Sequence, residues 1–368
     1  MNLCYNKIKE KVGDNLENRI ETSKTITNEK GEIIFFGLQH FLNDIVKGNC
    51  CFICGAEPES KEFNDEHIIS DWILRKYNLH DKYITLPNGT KFRYDQYTVP
   101  CCKECNSELG KTYEEPISDL FSKSYSEILE EINKDPNIAQ FLFKWLSLIF
   151  LKTHLKDKTL LTERDRRINA GFLSDKYYWE EMHHLHCIAR SHYTNAKIDY
   201  NVSGTIFIVP ALVINGSDGF DFMDNEISKT IMLQLGEFCI ICVLNDSCAG
   251  FTLYNDNFSK IKGPLSPFQI RDVFAHLSFI NLNLKERPIY FSRFIHSLDE
   301  YQIKVTLPKF VELLDEDERV ITSGKLLRQF VEPMIGEIEN KEQILKEIEE
   351  NRRNYLFDND GNFIKNEL

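Results

Sequence analysis

Four cysteines stand in two Cys-x-x-Cys pairs, Cys51-Phe-Ile-Cys54 and Cys102-Lys-Glu-Cys105. Thiolates paired in this way are the ligand set of a closed tetrahedral zinc site. Cys50 and Cys101 each precede a candidate ligand, but only Cys51 with Cys54 and Cys102 with Cys105 keep two residues between partners in both halves. Between the pairs lies Asp65-Glu66-His67-Ile68-Ile69. A histidine beside a carboxylate can act as general base toward a water, while the carboxylate holds a divalent cation that stabilises charge developing on a phosphodiester. An isolated acid-histidine pair is more often structural, so the surrounding elements decide its meaning.

Those elements are short. From Cys51 to Glu115 the chain carries the turn residues Pro58, Asn88-Gly89 and Pro100. Asn-Gly between the runs 83–87 and 90–94 predicts a hairpin. Ser70 is expected to cap a short helix over 71–77. With so few apolar residues per unit length, the segment is expected to struggle to fold without a metal staple. Ahead of this segment, residues 1–33 read as a polar leader, and Ile34, Leu38, Phe41, Leu42 and Ile45 recur at helical spacing. After Pro116 a helical stripe runs through Ile117, Leu120, Phe121, Tyr125, Ile128 and Leu129, and the apolar stretch 137–155 predicts a buried helix. Runs at 205–209, 211–214, 230–235, 238–244 and 251–254 predict strands of an antiparallel sheet packed on the preceding helices. A helix over 267–280 follows, then an acidic tail. The expected organisation is a leader with a short helix (1–42), a zinc-binding module (43–115), a mixed α/β domain (116–300) and an acidic helical tail (301–368).

At 368 residues and 42% apolar content the chain belongs with folded globular proteins. The longest apolar run, near 141–151, contains Lys144 and falls short of the roughly 20 residues that span a bilayer. The charged start lacks a secretory h-region, so a cytoplasmic location is expected. Eleven cysteines spread over this length point to metal binding rather than a disulfide scaffold, with Cys4, Cys187 and Cys248 as plain isolated thiols. The net charge is −13; residues 43–115 hold nine Lys and Arg against thirteen Asp and Glu, and residues 297–368 hold ten against seventeen. That balance excludes a broad basic face of the kind that grips nucleic acid, so any such contact is local or is assisted by a cation or another subunit. Arg164, Arg166 and Arg167 read as a solvated helix face. His183-His184-Leu185-His186-Cys187 offers imidazoles and a thiol close together, but in an extended strand only His184 and His186 share a face. Cys239 and Cys242 have knuckle spacing inside an apolar strand and read as buried core thiols.

The ordered set of a cysteine knuckle, Glu66-His67-Ile68-Ile69 and a second knuckle followed at once by Asn (Cys105-Asn106) resembles the zinc-containing HNH endonucleases. The resemblance covers about residues 50–115. It implies an α+β protein in which a small zinc-stabilised, treble-clef-like module with the ββα-metal fold precedes the larger mixed helical and antiparallel-sheet domain. It further implies that His67 is the general base, that Glu66 and Asn106 hold a catalytic Mg2+ or Mn2+, and that Cys51, Cys54, Cys102 and Cys105 hold structural zinc. Asp65 replaces Glu66 as ligand if the strand register differs. Where the family carries its middle Asn this chain has Tyr97, with Asp95 and Gln96 as the nearby polar groups that could orient His67. The function implied is metal-dependent hydrolysis of nucleic acid, DNA being the expected substrate, in a bacterial defence or mobile-element effector. A second copy or a partner protein would supply the basic surface. Tyr97 and the acidic charge favour the alternative, a zinc-structured binding or regulatory protein with a degenerate nuclease site.

Overall fold

The computed structural model describes residues 24–366 apart from Pro87, Arg166, Asn169 and Asn215. Most of the expected leader, including Cys4, and one member of the arginine group, Arg166, therefore lie outside the described residues. The fold is mixed α+β. The chain forms two compact units, one holding the described residues up to Val202 together with 290–305, the other holding 203–289 and the segment from Thr306 onward.

The first unit opens with an antiparallel pair, β1 (Ile26–Thr27) and β2 (Ile33–Phe35). A helix was expected from Ile34, but the helical stretch starts only at α1 (Leu38–His40) and continues as a wider turn over Phe41–Lys47. Ile34 and Phe35 are instead buried strand residues, because β-branched and aromatic side chains pack well on a pleated surface. After the first knuckle come β3 (Phe63–His67), α2 (Asp71–Lys76), β4 (Tyr83–Thr85), β5 (Lys91–Arg93) and β6 (Thr98–Cys102). β4 and β5 form the hairpin about Asn88-Gly89, with Gly89 at φ +75°. Ser70 precedes α2, but its side chain makes no capping hydrogen bond.

Helix α3 (Lys103–Leu109) begins directly after β6 and passes through a wide turn, Gly110–Glu114, into α4 (Glu115–Leu120). Ser124 and Glu127 close a reciprocal capping box at the start of α5 (Tyr125–Lys134). α6 (Asn137–Asp157) is the long buried helix that the apolar run predicts, with Phe143, Leu146, Ile149, Phe150 and Leu151 all fully inaccessible. Each such side chain contributes about 1.5–3 kcal/mol on leaving water. The histidine-rich segment forms a helix, α7 (His183–Ala189), not a strand, which packs against α6 and is followed by the short α8 (Ser191–Thr194). β7 (Lys197–Ile198) later pairs with a strand from residues 300–306.

The second unit carries a four-stranded antiparallel sheet from β8 (Ile206–Pro210), β9 (Phe220–Asn225), β10 (Thr230–Leu235) and β11 (Phe238–Val243), in the order β8-β11-β10-β9. β9 arises where no strand was expected, while Ala211 keeps only an isolated bridge. The run 251–254, expected as a strand, lies inside α9 (Ala249–Phe258). The sheet packs on the helix that follows it, α10 (Pro267–Leu282). Cys239 and Cys242 are fully buried in β11. Back in the first unit, β12 (Ile289–Ile295) and β13 (Glu300–Thr306) join β7, so the tail expected as helical begins with a strand. α11 (Ser323–Val331) and α12 (Lys341–Glu349) complete the chain. Among the described residues no helix is long and apolar enough to cross a membrane.

Candidate metal centre and active site

The first knuckle is a tight turn in which the Gly55 amide donates to the Cys51 carbonyl and the Cys51 amide to that of Ala56, both at 2.8 Å. Gly55 sits at φ +78°, and a Cβ there would lie 2.6 Å from the Phe36 ring, so only glycine satisfies both the backbone and the space. α7 clasps this turn from behind. His186 Nε2 hydrogen-bonds the Phe52 carbonyl at 2.8 Å, and the fully buried Arg190 donates to the carbonyls of Ile53, Ile34 and Ile33, with its guanidinium on the Phe36 ring. His183 bonds the Phe36 carbonyl at 2.6 Å. His183 and His186 of the histidine cluster thus anchor backbone.

The second knuckle is built differently. Cys102 ends β6 at the N-cap of α3 and Cys105 lies in the helix's first turn, so one turn brings the two sulfurs to the same side. The Sγ atoms of Cys51, Cys54, Cys102 and Cys105 all lie within 4.8 Å of one another, and those of Cys54 and Cys102 are 3.7 Å apart. Tetrahedral ligands at the usual zinc–sulfur distance of about 2.3 Å are about 3.8 Å apart, so this group can hold a structural metal such as zinc. No other group of this kind occurs among the described residues. Hydrogen bonds from Cys101, Cys105 and Cys54 hold Cys51 far below the ordinary thiol range, whereas the bond to Cys51 pushes Cys105 far above it. One thiolate is stabilised at the expense of its neighbours, and a metal charge lets all four ionise.

β3 pairs antiparallel with β6 in the register Asp65↔Pro100, Glu66↔Val99 and His67↔Thr98. Alternation along β3 sends Asp65 and His67 to one face and Glu66 to the other. Asp65 is exposed and His67 half-buried; the His67 ring takes no hydrogen-bond partner among the described residues, with Asp71, Asp95 and Glu114 in electrostatic range. Asn106 Nδ2 donates to Asn64 Oδ1 at 3.0 Å and to the Asp65 carbonyl at 3.3 Å, which ties α3 to the strand ahead of His67. Tyr97 is buried and its carbonyl accepts from the Ile68 amide, so it serves as core and turn rather than as a polar group beside His67. Asp95 is committed to Arg93 at 2.8 Å. Arg167, the described end of the arginine group, is committed to Asp165.

Glu66 does not present an open carboxylate. It is 5% exposed, and its Oε1 accepts from Lys152 Nζ at 2.7 Å; the same ammonium donates to the His67 carbonyl at 2.6 Å. Glu114 stands in the same electrostatic neighbourhood, its carboxyl raised by burial against the opposing pull of Lys152. As arranged, these residues do not fit a divalent ion at Glu66. Lys152 and Glu114 are the members of this cluster that the sequence reading missed. The available signal was a lysine inside a helix otherwise apolar on most faces, which must have a buried partner.

No family model matches the chain, and neither a curated protein nor a solved structure matches it. What fold and site define together is a mixed α+β protein with a cluster of four cysteines that could hold a metal ion.

Proposed function

We propose that this protein is an HNH-type endonuclease that hydrolyses nucleic-acid phosphodiester bonds, DNA being the substrate to try first. The observation that carries the reading is the register of β3 on β6. It sets His67 at a strand end, braced by Asn106 from the helix that follows, with the four cysteines bracketing the whole unit. A general base needs a fixed ring with a free nitrogen, and a zinc-tied strand pair supplies that rigidity. In this reading His67 takes the proton of the attacking water.

The test is cleavage of supercoiled plasmid by the zinc-loaded full chain with magnesium, with manganese and with neither, beside His67→Ala. Loss of a general base lowers the rate by about a hundredfold or more. Equal cleavage by both proteins would remove His67 from the mechanism. A second reading, a zinc-structured binding or regulatory protein with a degenerate site, is favoured by the Glu66–Lys152 pair and by buried Tyr97. Absence of cleavage under all three conditions decides for it.

A further inference from the structure

Among the buried charges of the first unit, Lys152 stands out because both bonds of its ammonium are spent on the candidate site. Its side chain is 2% exposed and that of Glu66 7%, so the pair is sealed from solvent. Nζ reaches the Glu66 carboxylate at 2.7 Å and the carbonyl of His67 at 2.6 Å, the residues that flank one peptide bond at the end of β3. The lysine comes from α6, the central buried helix, and its neighbouring side chains Leu151 and Leu155 are themselves buried. A carboxylate can be neutralised by an ammonium or by a metal ion, but the same oxygen does not serve both at full strength in a low-dielectric site.

We propose that the Lys152 ammonium is the resident cation of this site, holding on Glu66 the place a divalent ion would need, so that loading at Glu66 is a competition with a side chain of α6. Lys152 is then a positioning residue: it fixes Glu66 and the backbone at His67 in the metal-free state. The inference deepens the nuclease reading and rests on it for its biological sense, but its physical content concerns cation binding alone.

Binding of manganese is therefore read directly, from the electron paramagnetic resonance signal of free Mn2+ during titration of the zinc-loaded full chain, with zinc content and the unfolding midpoint recorded alongside. Lys152→Met should bind one Mn2+ about a hundredfold more tightly than wild type, since a buried pair need no longer be broken. Adding Glu66→Gln to that variant should abolish the gain, and Lys152→Arg should bind as wild type does. Equal affinity in folded Lys152→Met and wild type overturns the proposal. Should Lys152→Met not fold, Lys152→Gln keeps a neutral donor to both acceptors and is read in the same way. Cleavage is scored separately. A Mn2+ gain in Lys152→Met without cleavage by any variant leaves the proposal standing and removes the nuclease reading, while cleavage with Mn2+ binding indifferent to Lys152 does the reverse.

Discussion

His192 lies at the edge of the Tyr113 ring, with centroids 5.1 Å apart and planes at 79°. Its Nδ1 hydrogen-bonds the Ala189 carbonyl at 3.0 Å, while Nε2 is buried with no partner, so the folded site accepts the neutral ring and resists a second proton. Burial, joined by the nearby charges of Arg190 and Lys144, lowers its pKa to about 4 from the ordinary 6.5. Between those values the unfolded chain binds a proton that the folded chain refuses. The stability that neutral His192 contributes is therefore complete above pH 6.5 and is lost as pH falls toward 4. His192→Phe retains a ring against Tyr113 but cannot titrate. Wild type should lose stability relative to this variant as pH drops from 7 to 4, measured as the difference in urea midpoints at each pH; a difference that stays flat would refute the assignment.

At the scale of elements, α7 is the part whose role sequence spacing concealed. Its histidines look like ligands, yet His183 and His186 bond backbone carbonyls, and Arg190 just beyond its end gathers three more from β2 and the first knuckle. These contacts join residues more than a hundred positions apart, which no local pattern encodes. Replacing Arg190 with Met keeps bulk but strands buried carbonyls, and should cost at least about 3 kcal/mol while speeding zinc loss to a chelator. A change below about 1 kcal/mol in urea unfolding, typical of surface substitutions, would mean the clasp is not structural. Where local physics dominates, the sequence was legible: α6 and α10 follow from apolar runs behind Asp135-Pro136 and Ser266-Pro267, and the β4–β5 hairpin from Asn88-Gly89. It was not legible where tertiary context overrides propensity. The run 251–254 is rich in aromatic and β-branched residues but continues a helix that begins at Ala249, and Glu66 reads as an open ligand until Lys152 arrives from 86 residues away.

The whole chain divides its means of stabilisation between two units. In the unit built on β8–β11, Phe207, Val209, Ile241, Val243, Val273, Phe274 and Leu277 belong to one buried apolar cluster, and Leu326, Leu327, Val331, Leu345 and Ile348 to a second. Neither contains any of Cys51, Cys54, Cys102 and Cys105. The other unit owns all four cysteines of the candidate metal site, and its segment from Cys51 to Glu114 consists of short strands and helices, with β6 and α3 carrying two of those sulfurs. Metal removal should therefore act unevenly. A site formed by folding returns its binding free energy as folding free energy, so stripping zinc with a chelator should raise amide exchange across β3, β6 and α3, where Phe63 faces Cys102 and the Lys103 amide bonds the Glu62 carbonyl. β10 and β11, with every residue buried, should keep their protection. Hydrogen exchange followed by mass spectrometry, with and without chelator, resolves the two. Loss of protection in β10 and β11 equal to that in β3 and β6 would show that the metal holds both units together, and no change at β3 and β6 would show that the cysteines fold that segment without it.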